Sequence, residues 1–248
     1  AGRQKNPNWL DKNRDEYEEL LQKPLMHLAA ELKKSVGAIV PHYHFPLKGI
    51  GRLKRSALRA ESYGGLYKDW LSYTASRPSG SRFDHNPSLF FMINPHDGDG
   101  DEVLIAGGLY MPSSRQLRAV REAIAQDASP FDRLFSSKEF SARFKGGFSL
   151  ERSATRPPRG FDPTHPRLEW LKLQGFYSWR SYRAKEYSSP SFAKLVAADC
   201  LQLLKLNELL DQAIQGRWTE AVVPQGLRTT NVLAALDDVE MPRRKMDF

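Results

Sequence analysis

A single cysteine, Cys200, in 248 residues excludes an intrachain disulfide. Burial and hydrogen bonding must therefore hold the fold, and a reducing, cytoplasmic setting is the expected one. Long apolar runs are missing too. No stretch approaches the roughly 20 residues that span a bilayer. The longest apolar pattern, near the C-terminus, is interrupted by Asp199, Lys205, Glu208 and Asp211. It reads as a helix face, so a soluble protein without a membrane partner is expected. The opening residues, 1–8, are polar and carry no secretory signal.

Several chemical signatures are absent as well. Neither G-x-x-x-x-G-K-[ST] nor G-x-G-x-x-G occurs, which removes the usual nucleotide cradles, and no G-x-S-x-G marks a nucleophile elbow. His42 and His44 form an H-x-H pair, but no cysteine or spaced carboxylate completes a ligand set, so they read as structural or surface histidines. The run Asp97-Gly98-Asp99-Gly100-Asp101 looks like a calcium loop only at first sight. Its sixth position is Glu102 and its twelfth Gly108, where calcium chemistry needs glycine and a bidentate glutamate. It reads as an acidic hairpin turn. No metal and no cofactor are expected.

What the chain does have is positive charge and aromatic residues. Net charge is +8 and the isoelectric point about 9.5, with 40% hydrophobic residues. The composition is that of a folded domain, and the charge favours an anionic partner. Phosphorylated small molecules, nucleic acid and acidic surfaces all qualify.

Periodicity gives the elements. Leu10, Tyr17, Leu20, Leu21, Leu25, Leu28 and Leu32 recur at helical steps over 8–36, with Pro24 kinking that helix or starting a second one and Gly37 as its stop. Residues 37–86 predict short strands and loops. Residues 88–94 and 102–110 predict two antiparallel strands, with Gly107 and Gly108 marking a bulge or a close backbone approach. Ser113 and Gln116 have capping-box spacing ahead of an apolar face of Leu117, Val120 and Ile124. One or two short helices over 130–144, a helix over 166–173, a strand over 176–183 and a long helix over 191–214 follow. Phe192, Leu195, Val196, Leu203, Leu206 and Leu210 face inward on the last. The predicted class is α+β, a mainly antiparallel sheet with helices packed against it, as a single domain over 6–214. Residues 215–248, ending in Arg243-Arg244-Lys245, read as a peripheral extension.

Three blocks in order carry a family resemblance. The first is Asn8, Trp9, Asn13, Tyr17 and Pro24. The second is Gly107-Gly108-Leu109-Tyr110-Met111-Pro112 with Leu117 and Arg121-Glu122-Ala123-Ile124. The third is Arg156-Pro157-Pro158-Arg159-Gly160-Phe161-Asp162-Pro163-Thr164-His165-Pro166, then Leu171, Lys172 and Phe176. Together they resemble the uncharacterised family catalogued as domain of unknown function 2461. The resemblance implies a mixed α/β domain, found mainly in bacteria and also in fungi, with no established activity. The family's R-x-x-R-D-x-R-F block has a divergent counterpart, Arg52-Leu53-Lys54-Arg55-Ser56-Ala57-Leu58-Arg59, followed by Tyr67-Lys68. Ser56 replaces the aspartate and Leu66 the proline before the tyrosine. Were that aspartate catalytic, this chain would lack the activity.

Two constellations are candidates for binding. Lys48, Arg52, Lys54, Arg55 and Arg59 form a run in which no acidic residue falls before Glu61, with Tyr67 and Lys68 just beyond. Guanidinium groups grip phosphate or carboxylate through paired hydrogen bonds. The 156–165 loop adds Arg156, Arg159, Asp162 and His165, with Lys172 after it. A solvated charged face and a structural loop are the bland alternatives. Arg52, Arg55, Arg59, Tyr67, Lys68, Arg159, His165 and Lys172 are the residues expected to bind ligand, and none can be assigned a catalytic step.

Three functions fit. The first is binding of an anionic small molecule, as an enzyme or not. The second is nucleic-acid binding, since aromatic and basic residues interleave in Tyr177-Ser178-Trp179-Arg180-Ser181-Tyr182-Arg183, although a half-buried strand explains the same pattern. The third is an interaction domain without chemistry.

Overall fold

The N-terminal leucine stripe folds into a broken helix. The computed structural model, which describes residues 5–47, 50, 53–78, 84–94 and 102–220, begins with short helices α1 (Trp9–Lys12) and α2 (Arg14–Tyr17). A π-helical turn over Glu18–Gln22 leads into α3 (Lys23–Ile39). Pro24 sits in the first turn of α3, directly after the π-helical turn, and lacks the amide hydrogen that a regular helix would bond back to the preceding turn. Leu25, Leu28 and Leu32 are buried, but Leu20 is exposed, because the wider π turn rotates it off the stripe. Gly37 is not a stop: it lies inside α3, where a Cβ would stand 3.4 Å from the Phe45 ring.

Residues 57–76 give α4 (Ala57–Tyr63) and β1 (Leu71–Ser76). Then come β2 (Ser88–Asn94) and β3 (Glu102–Leu109), followed by α5 (Ser114–Gln126), α6 (Ser129–Ser136) and α7 (Lys138–Ser141). The capping box on α5 is present, with Ser113 and Gln116 bonded reciprocally. The helix expected over 166–173 is a single turn, α8 (Leu168–Leu171), with Leu171 buried and Trp170 packed against the core. The chain ends in β4 (Phe176–Tyr182), a one-turn α9 (Ala184–Tyr187), α10 (Phe192–Ile214) and a 3-10 turn over Trp218–Glu220. The acidic turn 95–101 and the extension from 221 onward lie outside the described residues.

The four strands form one antiparallel sheet in the order β1-β2-β3-β4, which makes the domain α+β. Alternation sends Leu71, Tyr73, Leu89, Phe91, Val103, Ile105 and Tyr182 to the helical side, where all are buried. The opposite face carries the cross-strand row Thr74, Phe90, Ala106 and Trp179. α10 is buried on nearly every side from Val196 to Ala213 and packs on β3, β2, α3, α5 and α6.

Gly107 permits that packing. A Cβ there would meet Leu203 Cβ of α10 at 2.5 Å. At Gly108, with φ of +131°, a Cβ would stand 2.2 Å from the Phe176 carbonyl oxygen. Register runs through both residues without an offset, Leu89 opposite Gly107 and Ser88 opposite Gly108. The glycines mark close approach and not a bulge. Beside α10, Phe131, Phe135, Phe148 and Trp170 build an aromatic cluster with centroids 4.9–6.5 Å apart.

Candidate functional site

The basic run before α4 folds into a small self-contained hairpin. The Arg55 amide donates to the Leu66 carbonyl and the Lys68 amide to the Leu53 carbonyl, both at 2.8 Å. The Arg55 side chain, only 10% exposed, turns inward: its guanidinium donates to the carbonyls of Gly65 (3.2 Å) and Tyr67, approaches Asp69 Oδ1 at 3.4 Å and lies over the Tyr63 ring. Tyr67 is fully buried against Trp9, and its hydroxyl donates to the Pro7 carbonyl at 2.6 Å. These two side chains hold the hairpin and the N-terminal segment together and do not present themselves to a ligand. Arg59 is exposed, and the Lys68 ammonium sits 4.4 Å over the Trp70 ring. Burial pulls Lys68 below its ordinary pKa, and the charges of Arg59 and Arg55 add to that. Arg52 and Lys48 lie outside the described residues.

Ser56, at the position of the family aspartate, is the N-cap of α4. Aspartate is a favoured N-cap because its carboxylate accepts the orphan amides of the first turn. Ser56 itself makes no side-chain capping hydrogen bond to the first turn of α4.

The second candidate group lies elsewhere. Lys68 precedes β1 at the sheet end where Leu71, Ile93, Val103 and Tyr182 align. Lys172 precedes β4 at the opposite end, beside Phe176, and on the opposite edge. Within the 162–167 turn, His165 Nδ1 accepts the Arg167 amide at 3.0 Å and the Asp162 carbonyl accepts the His165 amide. Two hydrogen bonds from Thr164 hold the Asp162 carboxyl below its usual range. Arg159 is exposed and makes no ion pair among the described residues, and Lys172 is half-buried. The fold gathers Arg55, Arg59 and Lys68, and separately the 159–172 group, without joining the two.

The fold does assemble cations at the free edge of β4. The Ser149 amide donates to the Tyr177 carbonyl at 2.8 Å, and Ser178 Oγ donates to the Gly147 carbonyl at 2.6 Å. Past that point residues 142–147 and the rest of β4 diverge, leaving an open cleft of about 780 Å³. Arg143, Lys145, Arg180, Arg183 and Lys185 line it, against one carboxylate, Glu186, with Trp179 in the wall. Lys145, Arg183 and Lys185 form no ion pair among the described residues. Arg180 pairs with Glu186. The Arg183 amide and Arg180 keep the Glu186 carboxyl below its usual range.

Beneath the cleft lies Asp199 of α10, 0% exposed. It accepts from Arg143 at 2.6 Å and from the Tyr182 hydroxyl at 2.8 Å, with Arg180 at 3.7 Å. Burial pushes its carboxyl up against the opposing pull of these donors. Burial and the neighbouring carboxylate hold the Tyr182 phenol well above its ordinary value. One buried acid thus fixes the direction of two guanidinium groups whose outer faces remain 27% and 20% exposed.

A second polar group is internal. Arg77 pairs with Glu208 and, at 2.8 Å, with Asp211, whose carboxyl burial pushes up to about 6. Cys200 is buried with its thiol pushed up by burial, which suits a core residue. His42 is held below its ordinary pKa by burial and Arg77, and His44 pairs through its backbone with Ser76. Among the described residues no three His, Cys, Asp or Glu side chains gather as a metal ion would require. No helix among them is long and apolar enough to cross a membrane.

The four-stranded antiparallel sheet with its packed helices defines an α+β domain with a basic cleft at one sheet edge. The model of the family described as conserved hypothetical protein (DUF2461) matches residues 3–208, and the chain belongs to that family. No curated protein and no solved structure matches it.

Proposed function

We propose that the protein binds an anionic small molecule, carrying phosphate or carboxylate groups, in the cleft at the β4 edge. The observation that supports this reading is charge held in place: five cations face one carboxylate in a cleft of ligand size. Two of those cations are aimed by a buried acid. Arg143 and Arg180 act as the fixed base of the site because Asp199 costs them little rotamer freedom on binding. Lys145, Arg183 and Lys185 supply the uncommitted donors. In this reading exposed Arg59 and Arg159, with Lys68 and Lys172, add to the positive field that draws anions in. A cytoplasmic setting belongs to the same reading and is supported by the lone, buried Cys200.

The test is thermal unfolding and calorimetry with pyrophosphate and citrate. Both should raise the melting temperature at millimolar concentration, and Lys145→Ala/Arg183→Ala/Lys185→Ala should abolish the shift while leaving the Asp199 network untouched. An equal shift in the triple variant, or none in the native protein, refutes the site. Binding that survives moderate salt favours a compact ligand, whereas a steep fall with log salt would point to a nucleic-acid backbone.

A further inference from the structure

We infer that the ligand of the β4-edge cleft joins an aromatic ring to its anionic group, as a nucleoside monophosphate does, with the ring against Trp179. The inference rests on the anion reading of the same cleft and adds the second half of the molecule. Trp179 is 36% exposed and lines the cleft. It projects from the sheet face opposite the core, in line with Ala106, whose small side chain leaves the indole uncovered on that side. Neither a ring, a cation nor a hydrogen-bond acceptor partners it among the described residues. This contrasts with Trp9, Trp70, Trp170 and Trp218, each of which packs on a ring or a cation. An unpartnered indole among cations is the arrangement that stacks a flat base while neighbouring charges take a phosphate.

The strand edge adds a polar component. The Tyr177 carbonyl points away from β3, toward Ser149. Backbone groups alternate sides along a strand, so the amides and carbonyls of Trp179 and Ser181 face the same edge. Among the described residues, the Ser181 carbonyl is the one of these groups with a hydrogen-bond contact, from Arg180 Nε at 3.5 Å. They border the indole, where the donors and acceptors on the rim of a base would meet them. Arg143, Lys145 and Arg183 lie in the same cleft for the phosphate.

Calorimetry with adenosine 5′-monophosphate and ribose 5-phosphate, on the native chain and on Trp179→Ala and Trp179→Phe, decides it. The nucleotide should bind about ten-fold tighter than the sugar phosphate, in line with stacking on one aromatic ring. Trp179→Ala should bring that ratio to about one, and Trp179→Phe should keep most of it. Equal binding of the two compounds by the native chain, or a ratio that persists in Trp179→Ala, overturns the ring inference while the anion site stands. Failure of both compounds to bind overturns the anion site and the ring inference together.

Discussion

Replacing Arg143 with alanine isolates the energetic role of the acid beneath the cleft. The variant leaves Asp199, 0% exposed, with the Tyr182 hydroxyl at 2.8 Å and Arg180 no nearer than 3.7 Å. Breaking a fully buried pair costs about 3–5 kcal/mol, and an exposed one about 0–1. Arg143 is 27% exposed and a second guanidinium remains, so the expected loss is about 2–3 kcal/mol at pH 7.5. For a domain of this size that lowers the melting temperature by roughly 5–10 °C. The sign with pH follows from the same geometry. Arg143 pulls the Asp199 pKa down against burial, so its removal raises a folded-state value that already exceeds the unfolded one. The folded variant then retains a proton that the unfolded chain releases, and the penalty grows as pH rises through that window. Urea unfolding followed by circular dichroism should show a small deficit at pH 5 and the full one at pH 7.5. Asp199→Asn, which removes the charge and keeps the shape, should cost less and show no such pH dependence. A deficit for Arg143→Ala that is the same at both pH values, or larger at pH 5, refutes the account.

Three further substitutions probe other parts of the structure. Asp211, pushed up to about 6 from an ordinary 3.8, holds a proton in the folded state that the unfolded chain gives up, so its penalty is absent below about pH 4 and complete above pH 6. Between those values the native protein should lose about 3 kcal/mol relative to Asp211→Asn in urea titrations, and parallel stability curves would contradict the assignment. Gly107→Ala should cost about 1–3 kcal/mol by overpacking; Leu203→Ala should rescue it only partly, because the Cβ atom met at 2.5 Å remains. Ser56→Asp should stabilise thermal unfolding by about 0.5–1 kcal/mol through a stronger cap on α4, without changing pyrophosphate affinity; a large affinity gain or loss would show that this position belongs to the binding site.

The strands β2 and β3 and the helices α5 and α10 were legible because their patterns are local. Residues 88–94 and 102–109 are runs of β-favouring residues on either side of a turn sequence, and α5 and α10 repeat at helical steps. The N-terminal spacing predicts a helix kinked at Pro24 or a second one starting there; α3 does begin at Lys23, but leucine spacing does not register the π turn at Glu18–Gln22 or the breaks before it. The helix over 166–173 is reduced to the one turn Leu168–Leu171, although Leu171 and Leu173 are both buried.

The candidate site was less legible, and density of charge was the misleading cue. The run from Arg52 to Arg59 holds four cations and no acid, yet Arg55 serves the carbonyls of its own hairpin and Tyr67 is core. The cleft instead draws Arg143 and Lys145 from one segment and Arg180, Arg183 and Lys185 from another, joined by the Ser149–Tyr177 and Gly147–Ser178 hydrogen bonds. Pairing across some thirty residues of sequence leaves no mark on spacing. Arg180 and Arg183 did stand out, interleaved with Trp179, though as a nucleic-acid pattern. A more telling signal was Asp199, the one charged residue between Val196 and Leu204, on a helix apolar enough to be buried all round. A carboxylate there is tolerable only with donors brought to it from outside the helix. A buried acid in an otherwise apolar helix therefore implies cations above it, and here those cations are the floor of the cleft.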